Sequence, residues 1–340
     1  MTDRGSFIPT SIIPTSLLEE LVKERQGKLS SDLLISPYSI SAALQLAYAG
    51  AARKTARQFQ AIYLLKTLFY EKLEEVKSKL DDIRSGLEQS GSQFASAQKL
   101  FVQNGLELRP AFQSACRGQA SCSYAQIDFL RSIKAAAVIN SWVSQQTRGK
   151  VTELVSAYDL DENTRLAILD AVYFKGVWKY VFPEDLTMPQ PFYKTAEKAV
   201  TLDTMSFGKV VTLPYFENEQ LQAIALPFKA SNRQELLVLL PKYGSNLSSI
   251  LDLSVMGVVA SRLREQNVTV FLPKWKVATP VLKLKTALKS LGLTDAFSDH
   301  ADFSKLFAST RAKIKDANRP FLYGLVLERA AILFAGIFAG

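Results

Sequence analysis

Apolar residues recur at helical spacing in several stretches of the chain. Ser36-Pro37 precedes one such stripe, which predicts a helix with Ser36 as N-cap and Pro37 at its first position. Gly50 is expected to end this helix in a left-handed cap, and the small side chains of the stripe predict close packing on a sheet. Further helices are predicted over 68–87, 132–149, 247–265 and 279–292.

Other stretches have the spacing of strands. Residues 94–103 alternate and lead into an Asn104-Gly105 turn, whereas 166–174 are nearly all apolar, which predicts a strand buried on both faces. Helices come first and strands dominate later, so we predict an α+β fold in a single domain over 1–340. Additional strands are predicted over 221–228, 235–241 (the two forming a hairpin), 268–279 and, as a buried terminal hairpin turning near 329–330, over 320–340.

The composition is that of a globular protein whose stability depends on its hydrophobic core rather than on disulfides. The chain has 340 residues, of which 48% are hydrophobic, and only two cysteines. Cys116 and Cys122 are expected to be reduced and structural, although their spacing permits a local bridge. No apolar run is long enough to span a bilayer, so no membrane partner is predicted, and the N-terminus lacks the pattern of a signal peptide.

The chain is basic, with 41 Lys and Arg against 32 Asp and Glu, a net charge of +9. A dispersed, solvated surface is one interpretation, and a face that binds a polyanion is the other. Short basic clusters lie at Arg53, Lys54 and Arg57 and at Lys274, Lys276, Lys283, Lys285 and Lys289. Asn246-Leu247-Ser248 and Asn267-Val268-Thr269 are N-glycosylation sequons, of which the second is expected to be buried in a strand.

The chain offers little for catalysis. His300 is the only histidine, and its SDHADF context has no nucleophile elbow, so we interpret it as a surface or capping residue. One histidine and two cysteines cannot supply an ordinary zinc site, and Arg148-Gly149-Lys150 lacks the upstream glycine of a phosphate-binding loop. We therefore predict no enzyme activity, no metal and no cofactor.

Eight motifs follow one another along the chain: LLISPYSISAALQLAYAGA, FASAQKLFVQNGLELRPAFQ, INSWVSQQTRGKVTEL, DAVYFKGVW, LLVLLPK, FLPKWKV, LGLTDAFSDHADFS and RPFLYGLVLERAAILFAGIF. Their sequences and their order resemble those of the serpins. The resemblance implies a large central, mostly antiparallel sheet with further sheets and a helical half. It also implies a lineage of serine-type endopeptidase inhibitors that act as suicide substrates by loop insertion.

The resemblance assigns candidate site residues. Ser36, Pro37 and Ser39 match the shutter region beneath the strands that part, and Trp178 matches the breach, where the reactive loop first enters the sheet. Asp170 stands where the family usually has Asn in the same polar cluster. Because an amide donates and accepts whereas an ionised carboxylate only accepts, Asp170 cannot reproduce all of the usual hydrogen bonds. Plain core packing is the alternative for all five.

One interval departs from the family. Between Phe297 and Pro320 the chain has 22 residues, SDHADFSKLFASTRAKIKDANR, where serpins carry a further main-sheet strand, a hinge of small residues after Glu-Gly-Thr and an exposed bait loop. The stretch could span roughly 70 Å, so its Lys, Arg and Phe content and the missing strand are the obstacles, not its reach. The fold is predicted to be incomplete near 310–311, no reactive bond can be identified, and this chain is predicted to be inactive.

Two interpretations follow for partners and location. A longer form would have a serine, or less readily a cysteine, peptidase as partner; the omission would then be a splice or gene-model feature. Alternatively the chain is a non-inhibitory binding module for a polyanion, or a carrier or chaperone. A monomer is expected, prone to aggregate if the sheet lacks a strand. Family habit predicts an extracellular location, and the N-terminus leaves cytoplasmic as the alternative.

Overall fold

The computed structural model describes most of the chain from Leu33 to Phe307 and a few short pieces on either side. The described residues are 17, 20–21, 33–64, 78, 81–83, 85–86, 93–117, 123–149, 151–160, 164, 166–194, 197–229, 234–242, 253–275, 284–298, 300–307, 326–327, 331–332 and 335–337. The predicted site positions Ser39 and Asp170 are described in their backbones only. Cys122 and the interval 308–325 fall outside the described residues, as does the side chain of Cys116.

Helices and several antiparallel sheets make up the fold, which confirms the α+β class. The helices are α1 (Pro37–Gly50), α2 (Arg53–Leu64), α3 (Pro110–Arg117), α4 (Ser132–Gln146), α5 (Leu253–Arg262) and α6 (Leu284–Ser290). The strands are β1 (Leu33–Ile35), β2 (Gln93–Gln103), β3 (Tyr124–Ile127), β4 (Leu166–Lys175), β5 (Met188–Tyr193), β6 (Ala199–Ser206), β7 (Val211–Glu217), β8 (Leu221–Pro227), β9 (Gln234–Pro241), β10 (Arg264–Val268), β11 (Phe271–Pro273), β12 (Val326–Leu327), β13 (Ala331–Ile332) and β14 (Ala335–Ile337).

The described strands form four sheets. Their orders are β10-β7-β8-β9-β12-β13, β3-β2-β4, β11-β6-β5 and β1-β14. The predicted hairpin of β8 and β9 is confirmed, and so is the terminal one, in which Val326 pairs with Ile332. Strand β2 pairs antiparallel with β4 and parallel with β3, so it lies in the middle of its sheet.

The two faces of the sheet β3-β2-β4 are covered by different helices. Because side chains alternate along a strand, Leu100, Val102 and Leu166 lie on one face, in the same core cluster as residues of α1; this is the α1 face. Phe101 and Leu169 lie on the other, packed with residues of α4; this is the α4 face. Burial of β4 on both faces is thereby confirmed at Leu166, Ala167 and Leu169, while Ile168 and Phe174 are half-buried.

Several predicted boundaries change. The apolar run 268–279 is not one strand, because β10 pairs with β7 in one sheet and β11 with β6 in another. Helix α6 is described from Leu284, and of the helix predicted over 68–87 only short helical pieces are described. Asn267 is exposed, so the prediction of its burial was wrong, and His300 is exposed as predicted.

Gly50 ends α1, but glycine is required there by packing and not by the backbone conformation that was predicted. Gly50 is absent from the residues with positive φ, so the left-handed cap predicted there was wrong. A Cβ at Gly50 would lie 2.9 Å from Cβ of Leu306, so close packing requires glycine. Gly149, just beyond α4, does adopt the left-handed region with φ of 74°. None of the described helices is both long and apolar enough to cross a bilayer.

Candidate functional site

Ser36 and Pro37 lie at the buried start of α1. The backbone N–H of Ile40 donates to the carbonyl of Ser36 at 3.0 Å, the first turn of the predicted helix. Ser36 has no exposed surface and Pro37 is also buried. Ser39 follows within α1. Since α1 packs against β4, the helix that begins with these positions lies beside the strand that contains Asp170.

Asp170 stands opposite Gln98 in the pairing of β4 with β2. Alternation places position 170 on the same face as Leu166, and Gln98 on the same face as Leu100, so both positions belong to the α1 face. Directly opposed residues on one face of an antiparallel pair are neighbours, with Cβ atoms about 5 Å apart. The sequence had not singled out Gln98, although a polar residue in the inward register of an alternating strand was the signal.

Two glutamines on or beside the α1 face have buried polar atoms that remain unpaired. Within the described part of the chain, Nε2 of Gln98 and Oε1 of Gln45 are buried and have no hydrogen-bond partner. Gln45 belongs to α1 and Gln98 to β2. A buried polar atom without a partner costs free energy, typically about 1–3 kcal/mol. Polar groups on or beside the α1 face are therefore incompletely satisfied.

Trp178 lies where two hydrophobic clusters meet. Its ring stacks on Phe228, with centroids 4.6 Å apart and planes 12° from parallel, and it contacts Phe182 edge-on at 6.2 Å. Phe228 belongs to the cluster of the α1 face and Phe182 to that of the sheets that follow. The predicted breach residue thus joins the sheet β3-β2-β4 to the strands of the C-terminal half.

The backbone at this joint is hydrogen-bonded as a short antiparallel bridge. Trp178 pairs with Phe228, the N–H of Lys179 donates to Pro227 at 2.9 Å, and the N–H of Lys229 donates to Val177 at 2.6 Å. The Phe228 ring occupies the space in which Gly176 would carry a Cβ. The glycine of the FKGVW motif is therefore required by the close approach of an aromatic ring fifty-two positions later.

Helix α4 crosses the sheet and is held by bonds to its own return segment. Asn140 Nδ2 donates to the carbonyl of Val155 at 2.7 Å, and Asn140 Oδ1 accepts from the N–H groups of Leu154 and Val155 at 2.8 and 3.0 Å. Thr147, which is fully buried, accepts from the N–H of Val151 at 3.0 Å. These bonds lie within 140–155, so α4 and the segment after it form one unit.

A lysine lies between the sheet and α4. Nζ of Lys99 lies 5.0 Å from the ring centroid of Trp142 and 5.8 Å from that of Phe101, both cation–π contacts. Burial of the ammonium lowers the pKa of Lys99 below its ordinary value. Neighbouring residues of β2 thus place an amide on the α1 face and a cation on the α4 face.

A basic surface lies where α2 meets the segment 302–307; it consists of Arg53, Arg57, Arg109 and Lys305, all of them exposed. Arg53 pairs with Asp302 at 3.6 Å, and Nε of Arg109 donates to the carbonyls of Ser304 and Phe307 at 2.6 and 3.1 Å. The shared segment therefore orients both arginines.

Lys54 also belongs to α2, but its ammonium pairs with a buried carboxylate and is not part of the basic surface. Its Nζ lies 3.1 Å from the buried carboxylate of Asp295, which also accepts from Gln58 Nε2 at 3.0 Å. Burial alone would raise the pKa of Asp295, but the hydrogen bonds from Lys54 and Gln58 outweigh it, and this pKa lies below its ordinary value.

Sequence comparison extends over most of the chain. The family profile described as "Serpin (serine protease inhibitor)" matches residues 14–319. Iripin-2 of Ixodes ricinus is 29% identical over 283 residues, which cover 80% of this chain and 69% of that protein. The leukocyte elastase inhibitor of Bos taurus is 29% identical, covering 81% and 74%, and Serpin B9 of Homo sapiens is 29% identical, covering 83% and 76%.

Solved structures share the architecture. The structure titled "Cleaved Serpin 42Da" has a TM-score of 0.81 at 26% identity, covering 96% of this chain and 97% of its own. Uncleaved ovalbumin has a TM-score of 0.84 at 21% identity, covering 98% and 100%, and protease nexin-1 with heparin has 0.80 at 22%, covering 96% and 97%. The last two show the fold alone. The family profile, the relatives and the sheet arrangement agree: this chain belongs to the serpin family.

Proposed function

We propose that this chain comes from a lineage of serine-type endopeptidase inhibitors and that, as it stands, it does not inhibit. The observation that carries the proposal is the interval 298–319, whose 22 residues contain no Glu-Gly-Thr hinge and no run of alanine and threonine. In the proposed mechanism of the lineage, a peptidase cleaves a bait loop and remains acylated while the loop inserts as a new strand. The sequence of the present interval contains neither the hinge nor the small-residue segment that would form such a strand.

The lengths of the relatives support the same view. The matches to Iripin-2 and to the leukocyte elastase inhibitor cover 69% and 74% of those proteins but 80% and 81% of this chain. The relatives thus contain more sequence than this chain matches. A longer form of the chain would have a serine peptidase, or less readily a cysteine peptidase, as its partner.

The remaining machinery is proposed to be that of an inhibitor. Ser36, Pro37, Ser39 and Asp170 act as the shutter, beneath the strands that part, and Trp178 acts at the breach. Two features support these roles. The α1 face buries polar atoms of Gln45 and Gln98 without partners, and Trp178 lies at the junction of two core clusters.

A graft tests whether the strand, hinge and bait segment is the only part of the inhibitory machinery that this chain lacks. The strand, hinge and bait segment of the leukocyte elastase inhibitor is inserted between Thr310 and Arg311, and the product is incubated with a serine peptidase. We expect the graft to form a covalent complex that survives denaturing electrophoresis, while the 340-residue chain forms none. The intact mass of the protein from its native source shows which of the two lengths exists.

The matched control has the same insertion with prolines in the hinge. Proline cannot donate to a sheet ladder, so this graft should be cleaved as an ordinary substrate without forming a complex. A covalent complex formed by the 340-residue chain itself would contradict the proposed inactivity. Failure of a well-folded graft would contradict the proposal that the rest of the machinery is intact.

A second candidate function is binding of a polyanion, favoured by the basic surface. Arg53 and Arg109 are held by the segment 302–307, which lowers the entropy lost when they bind an anion. Heparin serves as the probe, with the dissociation constant measured at several salt concentrations. We expect Arg57→Ala and Lys305→Ala to weaken binding and flatten its salt dependence, whereas Lys209→Ala, at an exposed lysine outside the basic surface, should not. Equal effects of all three substitutions would show that heparin binds by non-specific charge attraction and not at the basic surface.

The proposed location follows the family habit. We propose that the protein is extracellular, with the cytoplasm as the alternative, and that it is a monomer. Fractionation of the native source, followed by gel filtration of the purified protein, tests both statements.

A further inference from the structure

The end strand β10 carries a sequon with two exposed key residues. Asn267 lies in β10, and Thr269 follows directly after it; both are exposed. N-linked glycosylation needs the amide of the asparagine and the hydroxyl two positions later. Since β10 is the last strand of the sheet β10-β7-β8-β9-β12-β13, a branched sugar at this place would extend into solvent.

The orientation of the Asn267 amide fits an acceptor. Its cross-strand partner is Thr212 of β7, whose Oγ1 donates to Oδ1 of Asn267 at 2.8 Å. Val211 and Leu213, on either side of Thr212, are buried, so Thr212 and Asn267 lie on the outer face of the sheet. Nδ2, the atom that would take the sugar, has no hydrogen bond to any described residue.

We propose that Asn267 accepts an N-linked glycan when the chain passes through the secretory pathway. A bond forms between Nδ2 and the anomeric carbon of a lipid-linked oligosaccharide, and the bond from that carbon to the diphosphate breaks. The lipid diphosphate leaves, and one amide proton is lost to a base. The product keeps Oδ1 as an acceptor, so the hydrogen bond from Thr212 survives the modification.

The inference rests on the secretory route proposed above, and the experiment separates the two. The full chain is expressed in eukaryotic cells with a cleavable secretion leader and in an Asn246→Gln background, which removes the other sequon. The secreted protein is treated with N-glycosidase in heavy-oxygen water, and the peptide containing position 267 is analysed by mass spectrometry. Native-source fractionation tests the route independently.

We expect an isotope-labelled aspartate at position 267 in the parent protein and in Thr269→Ser, which keeps the hydroxyl. Thr212→Ala should also be labelled, because it removes a hydrogen bond but not the sequon. Thr269→Ala and Asn267→Gln should lose the glycan and its mass. An unmodified Asn267 in the secreted parent protein would overturn the proposal, and so would equal labelling in Thr269→Ala.

Discussion

The two faces of the sheet β3-β2-β4 are built from alternate residues of the same strands, yet they are closed in different ways. The α1 face belongs to a deep core that continues to Phe59, Phe228 and Phe303. The α4 face is covered by one helix, whose polar anchors, Asn140 and Thr147, bond to the helix's own return segment. The α4 unit therefore carries its hydrogen bonds with it, whereas separation at the α1 face would break a continuous core.

The same difference decides where polar groups are tolerated. On the α1 face the buried Nε2 of Gln98 has no partner among the described residues, and the position opposite Gln98 is Asp170. On the α4 face the ammonium of Lys99 has two aromatic rings as neighbours. The α4 face is thus covered by a unit that makes its own hydrogen bonds, whereas the α1 face buries a polar atom that is not satisfied.

The largest effect on stability is expected at Phe228, where the core of the α1 face meets Trp178. Phe228→Ala removes a buried ring that stacks on Trp178 and fills the space beside Gly176, so it should lower the free energy of unfolding by about 3–5 kcal/mol. Chemical denaturation measures the change. Phe271→Ala, at a residue that is 67% exposed, is the control and should cost less than about 0.5 kcal/mol. Equal costs would show that the joint is not part of the core.

A smaller effect is expected at the anchor of α4. Asn140→Ala leaves the N–H groups of Leu154 and Val155 and the carbonyl of Val155 without the bonds they now make, at a cost of about 1–3 kcal/mol. Asn140→Asp can still accept from both N–H groups and loses only the donor, so its cost should be lower. Hydrogen exchange of α4 should accelerate in Asn140→Ala while that of α1 stays unchanged. Equal acceleration in both helices would break the contrast between the two faces.

The third prediction concerns position 170. Asp170→Asn restores a group that donates as well as accepts, so it should raise the free energy of unfolding by about 1 kcal/mol. Combining it with Gln98→Leu in a double-mutant cycle measures the coupling of the two opposed positions. A loss of stability in Asp170→Asn would show that the carboxylate has the better partners.

The smallest effect is expected at Lys99. Its pKa in the folded state lies below the ordinary 10.5, so between these two values the unfolded chain binds more protons and stability rises with pH. Lys99→Met should abolish that alkaline increment and change stability at neutral pH by no more than about 1 kcal/mol. Unfolding curves for both proteins from neutral to alkaline pH provide the measurement. Identical pH profiles would mean that burial of the ammonium carries no cost.

Local rules predicted much of this architecture and failed where distant residues decide. Alternation and apolar runs predicted β2, β4 and the β8–β9 hairpin, because each pattern is contained in one stretch of sequence. The left-handed cap predicted at Gly50 was wrong, because glycine is required there by a close contact with Leu306, which lies far along the chain. Strand β10 was missed because four of its five residues are polar and exposed, and the predicted strand 268–279 overlaps it only at Val268.

In the candidate site, too, sequence motifs identified some residues, whereas others are identified only by contacts between distant parts of the chain. Asp170 and Trp178 were predicted from family motifs, but Gln98, opposite Asp170, and Phe228, beside Trp178, were not. No spacing rule connects Phe228 to Trp178, and the connection exists only once β8 ends beside residues 176–179. The glycine of FKGVW was the available signal, since a glycine flanked by large residues often marks a close approach.

The chain's three tryptophans lie in three different environments: Trp142 on the α4 face, Trp178 at the joint and Trp275 at an exposed position. Each indole is therefore an intrinsic fluorescent probe of one region. Variants in which two of the three tryptophans are substituted keep a single fluorescent reporter. Emission from Trp142 would change when the α4 cover lifts away from Lys99. Emission from Trp178 would change when its contacts with Phe228 and Phe182 separate, so stopped-flow fluorescence of single-tryptophan variants can follow the two regions separately.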